Sequence, residues 1–535
     1  MALKKLILPG LAVVALVGGA AGFFFLNRTS SDKTTPLAIA KVLPDEAYMA
    51  TFVSTDEKTW EKLKKFGTPA AQKAIEQNLQ KMQQDMMSDA KLDFDKDIKP
   101  WMGNMMIAVM PSSKQEDAEV VAAIGIKDKM SALSFANKVK SDSKAKTTET
   151  EYQGVKIFET LPEKSKTPYY TAVLNDAYLV IASNRAGIEQ SIEATKGNPS
   201  FATNPETATQ LAQPDAGEAV IARVYMPIPA IAKAMSADPK MDATAIESLK
   251  SLQSVTGTLS IADVGLRFKG EVKVDPKIAI DFKPSAGKAA ALFPADTFAL
   301  ISGSNLNSYW NQVTEQSQNN EEAKRIVDLM RGSSQMIGLD LDKDIFGWMT
   351  GDFAIGLMPM NQGMMADLGF GQALVFQTSD RKTAESTLGK LDTLAKNQSL
   401  SIAQRDVNGK KVTEWQTPQG ALLGHGWIND DTLFIATGEP LVSSFSSQAN
   451  PALDSSDGFK SVMAALPKQN TGYFYMDVEK MTALMTKFTQ GTQAAQLDPE
   501  ARAVLESVRS IGSTTSQIDR TTSQVEAVLA LKPAK

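Results

Sequence analysis

Near the middle of the chain, Leu266, Phe268, Val272 and Val274 alternate with Arg267, Lys269, Glu271 and Lys273. A period of two predicts a strand with one buried and one wet face. Val525, Ala527, Leu529 and Leu531 repeat the pattern at the C-terminal end. Shorter apolar runs predict strands at 47–53, 105–111, 120–126 and 219–225, and again at 297–302, 353–359, 373–378 and 472–476. Helical spacing appears between them. Ala71, Ile75, Leu79, Met82 and Met86 fall on one face, as do Ile326, Leu329 and Met330. Met130, Leu133 and Val139, and later Ala384, Leu388 and Leu391, mark two more helices with an apolar face. Asn175-Asp176 and Asn429-Asp430 suit hairpin turns, and Gly154 matches Gly409 at another turn.

These elements come in the same order twice. The clearest anchor is Leu92–Met102, LDFDKDIKPWM, against Leu339–Met349, LDLDKDIFGWM, with eight of eleven positions identical. Strands outnumber helices and no regular β-α-β alternation occurs, so the expected class is α+β with mainly antiparallel sheet. The expected organisation is two tandem, divergent copies, at 38–283 and 289–535, joined by a linker at 284–288. A chain of 535 residues is long enough for two cores.

The first 37 residues differ in kind. Leu6–Leu26 holds 21 residues without a charge, enough to span about 30 Å as a helix. Lys4 and Lys5 precede it, which favours a cytoplasmic N-terminus and an exported body. Residues 1–27 are therefore read as a transmembrane anchor, with a cleaved signal peptide as the competing reading. Residues 28–37 are read as a polar linker.

Composition removes several chemistries. There is no cysteine, so disulfides, thiol nucleophiles and Cys-bound metals are excluded. One histidine leaves little room for a His-based centre, and a net charge of −5 without a basic stripe argues against nucleic acid. No cofactor motif is present: phosphate-binding glycine loops and Gly-x-Ser-x-Gly are both missing.

Three groups remain as candidates. Asp93, Asp95 and Asp97, with Asp340, Asp342 and Asp344, resemble the first half of a calcium loop. That loop needs Gly at its sixth position and Glu at its twelfth; here stand Ile98 or Ile345 and Asn104 or Gly351. Capping of a short turn is the favoured role, with Trp101 and Trp348 as core anchors. His425 reads as a turn or surface residue. Finally, Met360, Met364, Met365 and Leu368 sit on a predicted hairpin tip, a candidate contact surface for a partner, a lipid or Cu(I). The competing reading folds this loop back onto its own domain.

With the apolar N-terminal segment, the Leu43-Pro44-Asp45 opening and the two Asp-Lys-Asp-Ile-x-x-Trp-Met motifs in view, the chain resembles a bacterial, largely cyanobacterial family catalogued as domain of unknown function 3352. The resemblance implies a membrane-associated envelope protein and carries over no catalytic residue. The expected role is a non-catalytic binding or scaffold protein, anchored through Leu6–Leu26, its body in periplasm or thylakoid lumen beside an envelope or thylakoid protein partner. The alternatives are a carrier of a lipid, pigment or other amphiphile, and a hydrolase that uses carboxylates alone.

Overall fold

The computed structural model describes residues 34–77, 93–111, 119–142, 146–161, 167–213, 218–236, 246, 249–278, 284–285, 287–318, 321–447, 449–489 and 499–534. Leu6–Leu26, and Leu79, Met82 and Met86 of the predicted second helix, lie outside them. No described helix is long and apolar enough to cross a membrane.

The chain forms two compact units. In the first, ten described strands run in sequence: β1 (Met49–Val53), β2 (Met102–Met110), β3 (Glu119–Ile126), β4 (Lys146–Tyr152), β5 (Val155–Leu161), β6 (Tyr169–Leu174), β7 (Tyr178–Ala182), β8 (Ala219–Pro227), β9 (Leu252–Ala262) and β10 (Gly265–Val274). Neighbours pair antiparallel in the order 4-5-6-7-3-2-1-8-9-10. The second unit holds β11 (Ala299–Ser304), β12 (Asp352–Pro359), β13 (Phe370–Gln377), β14 (Ser401–Val407), β15 (Lys410–Thr417), β16 (Gly420–Trp427), β17 (Thr432–Thr437), β18 (Tyr473–Asp477), β19 (Val508–Asp519) and β20 (Thr522–Leu531). Their order is 14-15-16-17-13-12-11-18-19-20, the same order shifted by ten. The class is α+β with extensive antiparallel sheet.

Two boundaries differ from the sequence reading. The polar stretch 28–37 was expected to be linker throughout, yet Thr34 is buried and Thr35 caps the helix Pro36–Ala40. Gly103 and Gly125 explain this: a Cβ on either would come within 3 Å of Thr34 Cγ2, so the two glycines make the space that Thr34 fills. Thr34 O also accepts from Asn104 Nδ2 at 2.9 Å. At the other end, Leu497–Ser507 and Leu531–Lys535, the latter beginning at the last residue of β20, belong to the first unit rather than the second. Gly67 N donates to Lys532 O at 2.7 Å, Ala534 N to Lys65 O at 2.8 Å, and Thr68 N to Ser507 Oγ at 3.1 Å.

Each unit buries one tryptophan from its aspartate motif. Trp101 packs with Val53, Trp60, Met102 and Ile221; Trp348 packs with Phe376, Ala384 and Leu433.

Candidate functional site

Each aspartate motif closes into a single wide turn, with Lys99 N donating to Phe94 O and Phe346 N to Leu341 O, both at 2.9 Å. Asp93 and Asp340 stand at the start in extended backbone and cap it, accepting from Lys96 N at 3.0 Å and from Asp342 N and Lys343 N at 3.0 and 3.1 Å. Asp97 and Asp344 reach back to accept from Asp93 N and Asp340 N at 2.7 and 2.9 Å. Their carbonyls take the indole N–H of Trp101 and Trp348, each at 2.8 Å. A lysine from the next helix then closes each turn: Lys138 to Asp97 at 2.5 Å, Lys390 to Asp344 at 2.7 Å.

The third aspartate of each set points elsewhere. Asp95 pairs with Lys99 at 3.3 Å. Asp342 receives both Arg331 Nε and Nη2 at 2.9 and 2.8 Å, and Trp310 Nε1 at 2.6 Å. The carboxylates therefore diverge toward separate donors, where a calcium ion would need them to converge. Among the described residues no three His, Asp or Glu side chains form a group that could hold a metal.

These donors also set the acidity. Lys138 beside Asp97, and Arg331 beside Asp342, hold those carboxyls below the usual carboxylate range. Burial pushes Asp344 up, but the Asp340 N–H and Lys390 outweigh it and the net direction is down. A depressed folded-state pKa stabilises above the unfolded value, about 4, and that stabilisation disappears as pH falls through the lower folded values. Thermal melts between pH 6 and 2 should be flat down to about pH 4 and then fall. Asp342→Asn should blunt the fall; an unchanged profile would rule out its contribution.

His425 departs from the turn or surface reading. It lies in β16, buried, with Nε2 2.8 Å from Asp392 Oδ1. Trp415 Nε1 donates to the same oxygen at 2.7 Å, so helix Arg381–Asn397 is clamped to β15 and β16. Burial raises the Asp392 carboxyl, yet these two partners bring it net below its ordinary value. Gly-His-Gly reads as a turn in the sequence, yet these residues stand inside β16, paired with β15 on one side and β17 on the other.

The methionine loop splits. Met360 is 3% exposed and fills space left by Gly371 and Gly438, where a Cβ would meet its sulfur and terminal methyl at 2.7 and 2.5 Å. It therefore leaves the candidate contact surface, because its side chain is core. Met364 and Met365 are half-buried, and Met364 Sδ accepts from Thr417 Oγ1 at 3.4 Å. Leu368 is exposed.

Among the described residues, a longer run of exposed apolar side chains lies on another element. Helix Glu321–Met336 buries Val327 and Ser334 and half-buries Ala323 and Arg331. Ile326, Leu329 and Met330, expected to share an inward face, are exposed, as are Met336 and, just beyond, Ile337, with Leu329 at 69% and Met336 at 83%. At 100° per residue they form a stripe roughly 120° wide, adjacent to the buried one. Tyr309 and Val313 on helix Leu306–Ser317, against which this helix packs, are exposed too. Met130 and Leu133 in the first unit are likewise exposed rather than inward.

A ten-strand antiparallel order carried by each unit, with a capped aspartate turn beside it, defines an α+β class of protein. A family model described as "Protein of unknown function (DUF3352)" matches residues 7–531, and the chain belongs to that family. No curated protein matches it. Among solved structures, crystal form III of TP0453 is 12% identical with a TM-score of 0.28, covering 46% of this chain and 81% of that one. Crystal form I of TP0453 is 10% identical with a TM-score of 0.26, covering 46% and 80%. At such TM-scores the likeness carries no argument about function.

Proposed function

We propose that this is a membrane-anchored, extracytoplasmic binding or scaffold protein without catalysis of its own, docking a protein partner through helix Glu321–Met336. The exposed stripe of Ile326, Leu329, Met330, Met336 and Ile337 is the observation that carries the reading. Contiguous apolar side chains of this size seldom stand in water on a monomer without an interaction role. The anchor, and a body in periplasm or thylakoid lumen, rest on Leu6–Leu26 and the lysines before it. The common strand order and the two aspartate turns support descent of the units from tandem copies. Met364, Met365 and Leu368 remain a secondary contact candidate.

A photo-crosslinking residue at Ser333, inside the stripe, tests the reading in full-length protein in its own membranes. One defined protein adduct is expected, lost when Leu329→Glu and Met336→Glu are added. Both positions are exposed, so the pair should change stability by less than about 1 kcal/mol. Adducts to lipid alone would favour the amphiphile-carrier alternative, and no adduct would reject the docking role.

A further inference from the structure

We propose that the first unit carries a saccharide-binding cleft, separate from the apolar stripe and independent of it. The cleft encloses ≈420 Å³ between helix Pro205–Leu211, the start of helix Ile228–Ser236 and strands β8 and β9. That volume lies within the range of small-ligand sites. Two contacts build its rim: Phe201 N donates to Leu43 O at 2.9 Å, and Pro44 bridges to Ser200. They bring exposed Asp45 to the mouth and buried Phe201 to the wall.

The lining chemistry is selective. Among the described residues that line it there is no lysine or arginine, and Lys273, which reaches the lining Glu206, is paired with that carboxylate, so a phosphate or carboxylate ligand would find no uncompensated positive charge. Glu206 points its carboxylate at Ser254 Oγ, 3.0 Å away, and at Lys273 Nζ, 3.2 Å away, and is neutralised there. Asp45 is thus the carboxylate left to face a ligand. The amide of Gln253 also lines the cleft, able to donate and accept, and Gln210 adds chiefly its amide N–H groups, because its oxygen accepts from Gln213 Nε2 at 3.2 Å. Asn204 adds its amide N–H groups, because its carbonyl oxygen is taken by Glu206 N and Thr207 N at 3.0 and 3.1 Å.

Apolar groups supply the other half. Phe201, Met226, Pro227 and Pro229 present C–H surface between the polar groups. A carboxylate, several amides and interleaved C–H surface match a ligand with hydroxyls at its edge and C–H faces on its ring. A neutral sugar or N-acetylated sugar has that pattern; a lipid tail lacks the hydroxyls, and a polyanion is repelled.

Titration of full-length protein in lipid nanodiscs against a broad array of neutral and N-acetylated oligosaccharides, with spermidine as the cationic control, decides the matter. Binding of an array member is expected, weakened about tenfold or more by Asp45→Asn, which replaces a charged acceptor oxygen with an amide NH2, and by Gln210→Ala, which removes a donor amide. Both variants should keep the wild-type melting temperature. Leu329→Glu should leave sugar binding intact, so loss of partner docking and loss of the cleft are read separately. No glycan bound, binding unchanged in both cleft variants, or tighter binding of spermidine than of any sugar would each overturn the assignment.

Discussion

Trp348→Ala is expected to lower the stability of the second unit by about 3–5 kcal/mol, the usual cost of emptying a buried aromatic site. The indole is 3% exposed and meets Phe376 edge-on at 5.7 Å between ring centroids. Its loss removes more than volume. The N–H bond to Asp344 O ties the ring to the turn, and Trp348 O accepts from Thr378 Oγ1 at 2.7 Å, tying the turn to the end of β13. The same Asp344 carbonyl takes Thr387 Oγ1 at 2.6 Å, so helix Arg381–Asn397 is fixed through the same point. Trp348→Phe keeps most of the packing and drops only the N–H bond, so a smaller loss of about 1–2 kcal/mol is expected. Urea unfolding followed through a probe in the second unit measures both, which matters because two units need not melt as one transition. A loss below about 1 kcal/mol for Trp348→Ala would show that the tryptophan is not a core anchor.

The strands were the legible part of this sequence because alternation is a local signal. β10 and β20 stand where the alternation predicted them, but the covered face is not the predicted one: Phe268 and Val525 are exposed, while Gln524, Glu526, Val528 and Ala530 are buried. Gly154 and Gly409 both adopt φ +80° at the predicted turns. Asn175 and Asp176 take φ of 53° and 49° in the turn between β6 and β7, where Leu174 pairs with Tyr178, a conformation that Asn and Asp adopt more readily than most residues. Helix faces were less legible. Periodicity in Glu321–Met336 shows that apolar residues share a side but not that a neighbour covers it, and here coverage stops at Val327 and Ser334. Long-range pairings were illegible for the same reason. Nothing near Asp342 announces Arg331 and Trp310, nothing near His425 announces Asp392, and the cleft needs residues between 45 and 256 brought together by the sheet. Capping spacing also misleads by a residue or two: Ser54 and Glu57 stand at capping-box spacing, yet Asp56 is the residue that caps the helix Glu57–Glu61, accepting from Thr59 N at 3.1 Å.

Arg405→Ala should be the other strongly destabilising change, because it strands a carboxylate. Glu414 is 1% exposed, and Arg405 Nη2 lies 2.5 Å from its Oε1, with Gln416 Nε2 3.1 Å from the second oxygen. Removing one partner of a buried pair costs about 3–5 kcal/mol. Arg405 itself is 38% exposed and also contacts solvent-facing Glu439 at 3.3 Å, so water screens part of the interaction and about 2–3 kcal/mol is the better expectation. Replacing both, Arg405→Leu with Glu414→Leu, should recover most of the loss, since a buried pair is often no more stabilising than apolar groups of similar size. What the pair supplies is register. β14 and β15 align Arg405 with Val412 and Ala403 with Glu414, so the two charged side chains meet across a diagonal of the hairpin. A one-residue slip would turn them to opposite faces and leave Glu414 alone. The doubly substituted chain should therefore melt near wild type while amide exchange in β14 and β15 speeds up. Wild-type exchange rates in that variant would mean that the hairpin's alignment is held by its apolar residues, and that the ion pair merely occupies a place the sheet has already fixed.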